Sequence, residues 1–130
     1  MPAGAPTEAT LGVKLFPGLE YLESFDAGRG QRLFLFGTNA TFAEVVAFYK
    51  AQLHGGTELF KEPAMLQFDL PGAKFQKELM AYPPSVVVKD YTWLGVTGDL
   101  KPGYVAVNGT TEKRFYTVVQ IVLAPPTPAK

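Results

Sequence analysis

Cysteine is missing from all 130 residues, which removes disulfides, thiolate metal ligands and thiol nucleophiles together. Histidine is nearly missing too, since His54 stands alone. An imidazole-based metal site would need company for it, and the acidic residues are not clustered as an all-carboxylate site requires. The sequence therefore predicts no metal and no cofactor. A Ser-His-Asp arrangement would have to use His54, while Ser24 and Ser85 lie in strand-like stretches without a nucleophile elbow. Net charge is lacking as well: 12 Lys and Arg balance 12 Asp and Glu, so no field gathers nucleic acid. No apolar run reaches the roughly 18 residues of a membrane span, and no repeat of solenoid period is present.

What is there fits one domain. The segments 1–12 and 125–130 are rich in Ala, Pro and Thr and read as flexible tails around a single unit, 13–124. A linker-like start of this kind points to the mature region of an exported protein whose signal has been trimmed.

The firmest element is "TFAEVVAFYKAQL", Thr41 to Leu53, where Phe42, Val45, Val46, Tyr49 and Leu53 recur at helical spacing. Thr41 with Glu44 makes a capping box, and His54-Gly55-Gly56 reads as the stop, with His54 near the helix C-terminus. Strands are predicted at Glu20 to Phe25 and Arg32 to Phe36, on either side of Glu62-Pro63, and at Ser85 to Trp93. "GYVAV" before Asn108-Gly109 and Phe115 to Leu123 complete the set. Phe115 to Leu123 is the longest apolar run and is expected at the centre. The segment Gly72 to Pro84 allows a helical turn or two before Pro83-Pro84 forbids continuation. The fold class is α+β: a mostly antiparallel sheet of about six strands with the helix 41–53 on one face.

Gly28-Arg29-Gly30 looks at first like a phosphate-cradling loop. A strand pattern, "QRLFLF", follows the glycines where such a loop needs a helix, so the stretch predicts a hairpin with Arg29 at its tip. Asn39-Ala40-Thr41 and Asn108-Gly109-Thr110 match the N-glycosylation pattern, but a helix cap and a turn account for them. Aromatics crowd the second half of the chain. Tyr82, Tyr91, Trp93 and Tyr104, with Arg29, are the candidate ligand or partner contacts, because such rings combine apolar area with a polar handle.

One imbalance says most. The strands around Arg32–Phe36, Val86–Trp93 and Phe115–Leu123 are apolar on both faces, while a single helix covers one face only. The second face needs a cover: the segment Gly72 to Pro84, a second copy of the chain, or a ligand or partner.

"LGVKLFPGLEYL", Leu11 to Leu22, followed by "TNATFAEVVAFYKAQL" with its Phe48-Tyr49-Lys50 ending, resembles small uncharacterised bacterial domains of exported proteins and lipoproteins. "YPPSVVVKDYTW" makes a second block. The resemblance implies an extracytoplasmic place, periplasmic or secreted, and brings no catalytic residues with it. This chain has no cysteine to acylate, unlike the lipoprotein version. The expected function is a non-enzymatic interaction module, self-associating as a homodimer or holding a protein partner. The alternative is a carrier for a small apolar ligand in an aromatic cleft, which calls for a cavity of about 300 Å³ or more.

Overall fold

Side-chain alternation sets the architecture. In Gln31–Thr38, Phe34 and Phe36 point to one side and Leu33, Leu35 and Gly37 to the other, so both faces of this strand are apolar. The computed structural model describes residues 6–61, 64–70, 74–92, 103–108 and 110–125. Their strands are β1 (Glu20–Gly28), β2 (Gln31–Thr38), β3 (His54–Lys61), β4 (Ala64–Asp69), β5 (Ser85–Asp90), β6 (Tyr104–Asn108), β7 (Thr111–Phe115) and β8 (Thr117–Val122). The helices are α1 (Glu8–Leu11) and α2 (Phe42–Lys50). Six strands form one sheet in the order β1-β2-β8-β5-β4-β3, and β6 pairs with β7 in a second, two-stranded sheet. Every pairing is antiparallel, which makes this the α+β fold expected.

The centre belongs to β8. It pairs along its whole length with β2 on one side and β5 on the other. Val118, Val119, Ile121 and Val122 are all buried, two on each face, so both faces of the strand are largely apolar, with Gln120 the partly exposed exception. Both outer strands are irregular. β1 and β3 each carry two register shifts, and Gly55 and Gly56 in β3 stand at φ of 105° and 76°. Bulges of this kind twist a free edge out of the flat geometry another strand would need.

α2 lies over β3, β4 and β5. Thr41 Oγ1 accepts from the Glu44 N–H at 3.1 Å, and Glu44 Oε1 accepts from the Thr41 N–H at 3.1 Å, the capping box read from the sequence. These bonds favour the carboxylate and hold Glu44 below its ordinary value. Val45, Val46 and Tyr49 enter a core with Phe36, Phe68, Val86, Val88, Val119 and Ile121. Tyr49 does more than fill space. Its hydroxyl donates to Lys14 O at 3.0 Å and accepts from the Phe16 N–H at 3.2 Å, fixing the approach to β1 against the helix.

Several boundaries move from the sequence reading. Leu11, inside the segment 1–12 read as a tail, is buried with Val13, so packed structure reaches back to α1. His54 opens β3 opposite Asp69 instead of closing the helix, because the two glycines after it form a bulge within a strand. The run Phe115 to Leu123 breaks at Tyr116: Phe115 ends β7 and Thr117 starts β8. The hairpin at Gly28-Arg29-Gly30 is present, with Gly28 paired to Gln31 and both central residues, Arg29 and Gly30, at positive φ of 53° and 81°.

Burial pushes the Tyr49 phenol up to about 12 from its ordinary 10.0. The folded value lies above the unfolded one, so the stability tied to protonated Tyr49 is complete below pH 10.0 and is lost as the pH climbs to about 12. The slope is about 1.4 kcal/mol per pH unit. Urea midpoints should therefore fall more steeply across this range for the wild type than for Tyr49→Phe. At neutral pH that variant should be weaker by about 1–2 kcal/mol, having lost both hydrogen bonds.

Candidate functional site

The face of the sheet opposite α2 is where the two readings of the sequence diverge. Three cross-strand rows run over β2, β8, β5 and β4: Leu33, Val122, Ser85, Asp69; then Leu35, Gln120, Val87, Gln67; then Gly37, Val118, Lys89, Met65. The strands put these residues on one face by alternation with the helix-side residues. Seven of the twelve positions are apolar or glycine, and Ser85, Asp69, Gln67, Lys89 and Gln120 break the pattern.

Each end of this face is covered by the chain itself. At one end the Phe115 ring lies on Gly37, where a Cβ would sit 2.5 Å from Phe115 Cγ. The small β6–β7 sheet that presents Phe115 is tied to β1 by the Lys113–Glu20 ion pair at 3.1 Å and by the Tyr104 hydroxyl donating to Glu23 Oε2 at 3.4 Å. At the other end Gln31, buried to 1% exposure, clamps the segment 74–84. Its Nε2 donates to Tyr82 O at 2.9 Å and Leu123 O at 3.0 Å, and its Oε1 accepts from Ala81 N–H at 2.6 Å and Tyr82 N–H at 3.0 Å. A buried amide with both ends satisfied fixes Tyr82 and Pro83 at the rim of the face.

Between the two covers a cleft of about 190 Å³ remains, open on one side. Val87 and Val122 form its apolar floor, Leu59, Met65, Tyr82 and Pro83 its walls. Lys89 reaches into it, half-buried, and its Nζ donates to Gln120 Oε1 at 2.7 Å. Burial pulls the Lys89 ammonium below its ordinary 10.5. Among the described residues no carboxylate stands within ion-pair distance of Lys89. Ser85 is already engaged, its hydroxyl donating to Pro83 O at 2.8 Å. No group of three or more His, Asp or Glu capable of holding a metal occurs among the described residues.

Comparison with protein-family models, curated proteins and solved structures finds no match. The site rests on its own geometry.

The candidate contacts from the sequence are scattered rather than gathered. Tyr82 stands at the cleft with half its surface exposed. Tyr91 and Tyr104 instead stack edge to face, 5.4 Å between ring centres, at the junction of β5 and the small sheet, and burial raises both phenols. Arg29 sits on the hairpin and donates to Glu78 O, so its side chain braces the segment 74–84. Trp93 lies outside the described residues. Asn39 Oδ1 accepts from the Tyr116 N–H at 3.2 Å, giving that residue a structural partner.

Lys89 and Gln120 were missed. Their signal was present as parity: in "SVVVKD" Lys89 shares the face of Val87, and in "TVVQIV" Gln120 shares that of Val118 and Val122.

Gln31→Leu strips four hydrogen bonds and should destabilise the fold by at least about 2 kcal/mol. Amide exchange at Ala81 and Tyr82 should quicken before the central strands open, as read by hydrogen-exchange NMR. Lys89 gives the opposite sign. Its ammonium is penalised in the folded chain, so folding gains stability as the pH rises through its folded value toward 10.5. Urea unfolding of Lys89→Met should lack that gain, and at neutral pH the variant should be as stable as the wild type or more so.

Proposed function

We propose that the chain is a non-enzymatic binding module that holds a small, partly apolar molecule in the cleft on its second sheet face. The carrying observation is what is left uncovered. The chain's own Phe115 and Tyr82–Pro83 close the two ends of that face, and the remaining opening of about 190 Å³ is the size of a small molecule, not of a subunit. A stable protein interface buries about 800 Å² per partner. The cleft falls short of the roughly 300 Å³ that the sequence reading asked of a carrier, and Tyr82 is the one aromatic among its described lining residues, so an occupant must be smaller than an ordinary ligand. Its titratable side chains among the described residues are Lys89 and Tyr82, which supports holding rather than acid–base chemistry. The exported setting implied by the resemblance is kept with this reading.

Self-association is the second reading, favoured by exposed apolar side chains at and near the rim: Leu59, Tyr82 and, in the segment leading to it, Phe75 and Leu79. The bulged edges of β1 and β3 support contact through this face over strand-to-strand pairing.

Sedimentation velocity and an amide-shift titration with benzyl alcohol separate the two. The ligand reading expects a monomer in the micromolar range, with shifts centred on Val87, Val122 and Tyr82 that vanish in the cleft-filling variant Val87→Phe. A dimer that dissociates on Leu59→Asp, with no response to benzyl alcohol, overturns it in favour of self-association.

A further inference from the structure

Lys89 is a half-buried cation whose one hydrogen-bond partner among the described residues is neutral, the Gln120 amide oxygen. Among the described residues, no Asp or Glu lines the cleft it enters. An ammonium so placed has given up part of its hydration without gaining a counter-charge, an arrangement that favours an incoming anion. Donors for one are at hand. Lys89 keeps further N–H groups beyond the one given to Gln120, and the Gln120 Nε2 makes no hydrogen bond among the described residues. Gln67 flanks Val87 in the same cross-strand row as Gln120, bringing a second amide to the floor. Beside these donors the floor and walls are apolar: Val87, Val122, Met65 and Leu59.

Building on the binding function proposed above, we infer that the cleft takes a small monocarboxylate with a short apolar or aryl tail, its carboxylate held by Lys89 and Gln120 and its tail lying on Val87 and Val122. Size fits this class. A cavity of about 150 Å³ accommodates benzene, so about 190 Å³ admits an aryl ring with one carboxylate and little more. One ammonium and neutral amides match a single negative charge, where a phosphate dianion would call for several cationic or backbone donors. A carboxylate at Lys89 also relieves the pressure toward deprotonation that burial creates.

Calorimetry and amide-shift titrations with benzoate, benzyl alcohol and an N-acetylated tetrapeptide ending in phenylalanine test the inference. Benzoate should bind the wild type at least about tenfold more tightly than benzyl alcohol, the worth of a charge-assisted hydrogen bond. Lys89→Met should bind the two equally, and wild-type shifts should centre on Val87, Lys89 and Gln120, a readout independent of how well the variant folds. Equal binding of benzoate and benzyl alcohol by the wild type overturns the carboxylate inference and leaves the binding function standing. Binding of neither overturns both. Tighter binding of the peptide than of benzoate overturns the small-acid inference in favour of a protein C-terminus.

Discussion

A sheet that is apolar on both faces at its centre has to be shielded from water twice, and every other feature of this molecule answers to that requirement. α2 shields one face with Val45, Val46 and Tyr49. The other face is shielded piecemeal, by an aromatic ring lowered onto a glycine at one end and by a turn clamped through Gln31 at the other. Two shields built from opposite directions meet imperfectly. The gap between them is the cleft, where Gln67, Lys89 and Gln120 stand beside the apolar Val87 and Val122.

The elements legible in the sequence were those with a strong local pattern. Thr41 and Glu44 announced the helix start because a capping box is satisfied within four residues. The Gly28–Gln31 turn was legible because positive φ at consecutive positions selects for glycine. The long-range events were not. The break at Tyr116 is accompanied by Asn39, 77 positions away in sequence at the end of the neighbouring strand, accepting its N–H, and that Gln31 is a clamp depends on backbone groups 50 and more positions away. The helix stop at His54 was misread for a related reason: glycines bulge a strand and end a helix by the same left-handed geometry, and only pairing with β4 distinguishes the two.

The candidate site follows the same division. Tyr82 was visible as an aromatic, whereas Tyr91 and Tyr104 spend their rings on each other. Lys89 and Gln120 escaped notice because counting aromatics ignores which face a residue occupies. Their register across β5 and β8, diagonal on one surface, gives the cleft its only formal charge among the described residues. Polar side chains on the inner face of a central strand are costly unless paired, so the parity of each exception carries more information than its chemical type.

The position of β8 carries one more consequence. The β1–β2 hairpin and the β3–β4–β5 meander touch as a sheet only through this strand, which follows both of them along the chain. Without Thr117–Val122 each half would keep a raw inner edge, because β2 and β5 both pair with this strand and not with each other. Joining the two halves along the sheet therefore depends on contacts distant in sequence, a topology that favours slow folding, since the keystone is laid after the stones it locks.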